Sequence, residues 1–150
     1  RIVHNGRPLT DGSDESRMTS LGLVVAEFNA SVTEEMESVA RDAAAAADAT
    51  VVETVHVPGV YDSPLVADRL ARRDDIDAVA VLGAIVTGDT DHDDVIGHAT
   101  AQKLTDVSLD RDTPVTLGVT GPGMSCAEAR ERVGNAAKAV EGAVKLVERL

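Results

Sequence analysis

Hydrophobic and polar positions along this chain fall into blocks whose period switches regularly between that of strands and that of helices. Leu21-Gly-Leu-Val-Val-Ala26 is a continuous apolar run, the pattern of a strand covered on both faces. Ser31-Val-Thr-Glu34 then offers a capping box that opens a helix running through the Ala43–Ala47 stretch. Val51-Val-Glu-Thr-Val-His-Val57 alternates, is rich in β-branched residues, and predicts a second strand. Asp62-Ser-Pro64 predicts the start of a second helix, with proline in its first turn. Ile76-Asp-Ala-Val-Ala-Val-Leu82, continued by Ile85 and Val86, is the most apolar block and a third strand. Asp91 to about Leu109 reads as a helix and Pro114-Val-Thr-Leu-Gly-Val119 as a fourth strand. Ser125-Cys-Ala-Glu128 is a second capping box, opening a helical stretch to Leu150 that Gly134-Asn135 divides in two.

Four strand–helix units in series predict an α/β fold, a three-layer sandwich built on a four-stranded parallel sheet with helices on both faces. In such sheets ligands bind beyond the carboxyl ends of the strands, near the point where strand order reverses. That rule singles out four loops: Glu27-Phe-Asn-Ala30, Pro58-Gly-Val-Tyr-Asp62, Thr87-Gly-Asp-Thr-Asp-His92 and Thr120-Gly-Pro-Gly-Met124. Residues 1–20 are polar, follow neither hydrophobic period, and read as an extended or flexible arm preceding a domain over 21–150. Met18 is the expected natural start, the arm then being an extension.

Composition narrows the partners. The 150 residues carry 26 acidic and 14 basic side chains, a formal charge of −12, which disfavours nucleic acid and anionic membrane as partners. Only Lys103, Lys138 and Lys145 are lysines. An Asp-rich, Lys-poor chain fits a protein working in concentrated salt, where screening shortens to about 3 Å and self-repulsion fades. Cys126 is alone, so neither an intrachain disulfide nor a cysteine zinc cluster can form. No apolar run approaches the roughly 20 residues that span a bilayer, and the expectation is a soluble cytoplasmic protein. With one Phe, one Tyr and no Trp, aromatic contact with a ligand rests on Phe28 and Tyr61.

The loops carry the candidate chemistry. Phe28, directly after a buried strand, can stack on a heterocycle or cap the core. Asp62 can hydrogen-bond ligand hydroxyls or simply cap its helix. Gly88 ahead of a helix suits an anion, yet Asp89, Asp91, Asp93 and Asp94 crowd that end, so a phosphate there needs an arginine from elsewhere. His92 is the one histidine in the four loops and a candidate general acid/base. A metal site of His92 with Asp91 and Asp94 lacks a second histidine at ligand spacing. Arg130, Arg132 and Lys138 are either phosphate contacts or a solvated face pairing with Glu128 and Glu131.

The residues Leu23-Val-Val-Ala-Glu-Phe-Asn29 with Thr33, Val57-Pro-Gly-Val-Tyr-Asp-Ser-Pro64, and Leu82-Gly-Ala-Ile-Val-Thr-Gly-Asp-Thr-Asp-His92 together resemble lumazine synthase. So does Pro114-Val-Thr-Leu-Gly-Val119 followed by Glu131-Arg-Val133, and the Gly-Pro-Gly-Met stretch is similar to the archaeal form. The resemblance implies a flavodoxin-like fold and a step of riboflavin biosynthesis. In that step 5-amino-6-(ribitylamino)uracil condenses with 3,4-dihydroxy-2-butanone 4-phosphate to give 6,7-dimethyl-8-ribityllumazine, without metal or organic cofactor. It further implies homo-pentamers, or multiples of pentamers up to a hollow shell, with sites between subunits. By the same resemblance Phe28 stacks on the pyrimidine, with Asn29 beside it. Val60, Tyr61 and Asp62 line the ribityl and ring pocket, Asp62 standing where the family has Glu. Ala84, Ile85 and Val86 border the pyrimidine. Gly88, Asp89 and Thr90 hold the phosphate, and His92 moves protons. Leu117, in place of a family Phe, and Arg132 come from the neighbouring subunit, and Lys138 matches a further basic position. Thr87 stands where bacterial members carry Arg. The rival readings are archaeal riboflavin synthase, and a non-catalytic flavodoxin-like binding or shell protein.

Overall fold

The computed structural model describes residues 18–87 and 92–150. The arm before Met18 and the loop residues Gly88, Asp89, Thr90 and Asp91 lie outside the described residues. Four strands, β1 (Thr19–Ala26), β2 (Ala49–Val57), β3 (Ala78–Val86) and β4 (Val115–Met124), form one sheet in the order β2-β1-β3-β4. Every neighbouring pair is parallel. The helices are α1 (Ala30–Ala46), α2 (Ser63–Ala71), α3 (His92–Arg111), α4 (Cys126–Glu131) and α5 (Asn135–Arg149).

The two-residue period of the central strands divides their side chains between two cores. Leu21, Leu23 and Val25 of β1, with Ala78, Ala80 and Leu82 of β3, pack under α1, α4 and α5. Val24, Val79, Val81 and Ile85 pack under α2 and α3. β3 is buried along eight of its nine residues, as its apolar run requires. In α5, Ala136, Ala139, Val140, Ala143 and Val144 are buried at helical spacing, and small side chains there let the helix lie close on the sheet. Met36 of α1 is fully buried, an effect worth about 1.5–3 kcal/mol for a side chain of this kind.

Three local expectations are revised. β1 begins at Thr19, so Thr19 and Ser20 belong to the sheet rather than the arm; Ser20 N–H donates to Asp77 Oδ2 at 2.8 Å. The first helix does not use the Ser31 capping box. It starts at Ala30 behind Asn29, whose left-handed backbone (φ 66, ψ 48) turns the chain, while the Ser31 hydroxyl accepts from Arg130 Nη2 at 3.1 Å. The Thr120–Met124 segment is not a free loop. β4 runs through it with an irregular register between Ala84 and Val86, a bulge that accommodates the cis Gly121–Pro122 peptide. Gly121 (φ 88) lies so close to β3 that a Cβ there would overlap the Ile85 carbonyl oxygen. The Ser125 capping box forms as expected, with Ser125 Oγ accepting from Glu128 N–H at 3.2 Å and Glu128 Oε1 accepting from Ser125 N–H at 3.0 Å.

Candidate active site

Strand order reverses between β1 and β3, and there the loops after β1, β2 and β3 converge. The β1–β2 pairing continues past the strands: Glu27 N–H donates to the Val57 carbonyl at 2.7 Å and Phe28 N–H to the Pro58 carbonyl at 3.0 Å. Phe28 is thereby fixed beside the second loop while its ring stays 72% exposed. Asn29 Nδ2 donates to the Ala84 carbonyl at 3.0 Å, joining the first loop to the end of β3.

After β2 the chain makes a 3-10 turn over Val60–Asp62. Asp62 Oδ2 accepts from Gly59 N–H at 3.0 Å, and the buried Ser63 hydroxyl donates to the Val60 carbonyl at 2.7 Å. The turn points Val60 into the protein and leaves Tyr61 exposed. At the end of β3, Thr87 donates to the Met124 carbonyl through both its N–H (2.8 Å) and its hydroxyl (3.0 Å).

These elements enclose a cavity of about 680 Å³ lined by Phe28, Asn29, Val60, Tyr61, Ala84, Ile85, Val86 and His92. Its volume lies within the range of small-molecule sites. Pro58, Gly59, Thr87, Asp93 and Ile96 complete the lining. Ile96 was not singled out in the sequence, although it stands one helical turn after His92, where a second side chain shares the same face.

Not every expected residue meets there. Asp62 does not line the cavity, because its short carboxylate is turned back onto Gly59 N–H. Leu117 lies half-exposed on β4 and borders a separate cavity of about 200 Å³ with Val60, Ile85, Thr100 and Pro122. Arg132, at the end of α4, and Lys138, on α5, are exposed and away from the main cavity. The fourth loop, absorbed into β4, contributes nothing to it. His98 borders the smaller cavity, and His56 on β2 pairs with Glu37 Oε1 at 2.7 Å.

The carboxyls with displaced acidities are elsewhere. The Arg111 guanidinium, aided by Arg72, holds Asp68 below the usual carboxylate range against the opposing effect of burial. Burial pushes Glu37 up, but hydrogen bonds from His56 and Arg41 outweigh it and leave the group lowered. The site itself offers an open aromatic face, strand-end backbone groups, an imidazole and a carboxylate at a helix start. That arrangement suits a planar heterocycle and proton transfer beside it. Among the described residues no group of three His, Cys, Asp or Glu is placed to hold a metal, and no helix is long and apolar enough to cross a membrane.

The family profile of 6,7-dimethyl-8-ribityllumazine synthase matches residues 18–150. A protein of that name from Halobacterium salinarum is 76% identical over 133 residues, 89% of this chain and 100% of its own length. One from Halorubrum lacusprofundi is 70% identical over 89% of this chain and 99% of its own length. One from Methanocaldococcus jannaschii is 47% identical over 89% and 94%. Agreement along nearly the whole of these relatives, on a chain whose loop residues converge on one heterocycle-sized cavity, leads to one conclusion: this chain belongs to the 6,7-dimethyl-8-ribityllumazine synthase family.

Proposed function

We infer that the chain is a transferase of riboflavin biosynthesis. It condenses 5-amino-6-(ribitylamino)uracil with 3,4-dihydroxy-2-butanone 4-phosphate to 6,7-dimethyl-8-ribityllumazine, releasing phosphate and water. The observation that carries this reading is the convergence of Phe28, Tyr61, the Ala84–Val86 strand end and His92 on one cavity of about 680 Å³. Phe28 stacks on the pyrimidine, and the strand end borders the ring edge. Asn29, Val60 and Tyr61 line the ring and ribityl pocket. Asp62 acts through the turn it caps rather than by direct contact. Gly88, Asp89 and Thr90 hold the phosphate together with Arg132 of a neighbouring copy. Asp93 and Asp94 in the first turn of α3 repel an anion, so that arginine supplies the charge the loop lacks.

Imine formation and loss of phosphate call for several proton transfers, and His92 at the cavity wall is the group to make them. Holding two substrates together supplies a further part of the rate. The assembly is a pentamer or a multiple of pentamers in the cytoplasm, with sites between subunits. Two half-open apolar groups, Phe28 (72% exposed) and Leu117 (50% exposed), support a site completed by a second copy. Lys138 is a further basic contribution to that shared site.

Two assays test this reading. Supplied with both substrates, the protein should produce the fluorescent lumazine; riboflavin formed from the lumazine alone would instead assign it to the sister activity. At phosphate-substrate concentrations well below KM, mixing His92→Ala with Arg132→Ala subunits should give more activity than either variant shows alone. Failure of well-assembled mixtures to do so would contradict intersubunit sites.

A further inference from the structure

We propose that Asn29 is a positioning residue: its side-chain amide ties the Phe28 loop to the end of β3 and so sets the gap into which the heterocycle slides. This rests on the function proposed above. The Phe28 ring is 72% exposed, so core packing does not hold it and its place is set by the backbone on either side. On one side Phe28 N–H is bound to the Pro58 carbonyl. On the other, the β1–β3 ladder ends at Val25 and Leu82, and beyond it the Asn29 amide spans the crevice to Ala84.

Asn29 also occupies the position before α1 at which asparagine commonly caps a helix, yet its side chain makes no capping bond. The amide is engaged across the crevice instead. Its left-handed backbone is open to Gly, Asn and Asp, so two substitutions can remove the tie without straining the turn. Asn29→Gly deletes the amide. Asn29→Asp keeps the shape and sets a carboxylate oxygen against the Ala84 carbonyl.

The test is a fluorescence titration with unsubstituted lumazine, a ring ligand with no ribityl chain, alongside steady-state kinetics. Both variants should bind the bare ring about three- to tenfold more weakly, the effect of losing one partly buried hydrogen bond. KM for the pyrimidine substrate should rise by the same factor, while KM for the phosphate substrate stays within about twofold. In a Phe28→Ala background Asn29→Gly should cost nothing further, because its effect passes through that ring.

A variant Asn29→Gly that binds the bare ring like the wild type would overturn the proposal, since the backbone conformation alone would then suffice. A loss confined to ligands carrying the ribityl chain would also overturn it, by making Asn29 a direct polyol contact. If the wild type binds no lumazine at all, the functional reading fails first.

Discussion

Gly83 lies on β3 just before the Ala84–Val86 strand end and behind the cavity-lining Val60, and a single methyl group added there measures how tightly Val60 is held. A Cβ on Gly83 would stand 2.6 Å from Val60 Cγ2 and 3.3 Å from Ala26 Cβ. Val60 cannot retreat freely: it is 7% exposed and forms the 3-10 turn that carries Tyr61. Overpacking of this kind costs about 1–3 kcal/mol. The smaller entropy of an unfolded chain with Ala in place of Gly offsets about 0.4–1 kcal/mol of that. Gly83→Ala is therefore expected to destabilise by about 1–2 kcal/mol, or about 2–8 °C in Tm for a chain of this size. The displaced turn should also weaken lumazine binding. Gly118→Ala is the control. Its Cβ would meet Leu82 Cδ2 at 2.8 Å and Ala139 Cβ at 3.0 Å, so it should cost comparable stability without touching the cavity or ring affinity. Adding Val60→Ala to Gly83→Ala removes the clashing methyl, so the double variant should lose less stability than the two single variants together. Thermal unfolding and lumazine titration of these variants read these effects. A Gly83→Ala protein with unchanged Tm and affinity, or Gly83→Ala and Val60→Ala losses that simply add, would refute the packing argument.

Other outcomes follow from the same geometry. His92→Ala should lower turnover about 10²–10⁴-fold with Tm retained, and wild-type turnover would remove His92 from the chemistry. Arg132→Ala should raise KM for the phosphate substrate and leave ring affinity alone; unchanged binding of inorganic phosphate would count against it. Asp68 joins α2 to α3 through Arg111 (2.8 Å) and pairs locally with Arg72 at the end of its own helix (2.6 Å), and its carboxyl is held below the usual range, chiefly by Arg111. Its contribution should be complete above the unfolded carboxyl value of about 3.9 and vanish as pH falls through the lowered folded value. Denaturation of wild type and Asp68→Asn should show a stability gap that is largest near neutrality and closes in acid; a pH-independent gap would contradict the ion-pair account. With a charge of −12, assembly and activity should both improve toward molar KCl, and a sharp activity maximum in dilute buffer would oppose that.

The four strand–helix units were legible because each block keeps one period over a full element, as in Ala78–Val86 and in the buried stripe of α5. The convergence of the candidate loops was legible because a parallel sheet places consecutive loops at one end, which brings Phe28, Tyr61 and His92 together from positions far apart in the chain. Local chemistry hid the rest. Gly121-Pro-Gly123 carries the residues of a chain break, and only its neighbour β3 reveals a bulged strand. Ser31 has the spacing of a capping box, but the helix starts two residues earlier, behind Asn29, whose side chain bonds across to Ala84. Asp62 was read both as a cap and as a ligand contact, and its short side chain reaches only Gly59. Leu117 and Arg132 lie away from the cavity of their own chain, and the resemblance assigns both to a second copy.

The most direct measurement supplies the wild-type protein in molar KCl with both proposed substrates and follows lumazine fluorescence and phosphate together. The account predicts one phosphate released for each lumazine formed, with no added metal or cofactor. Phosphate release without lumazine, or no reaction by fully assembled protein, would contradict it.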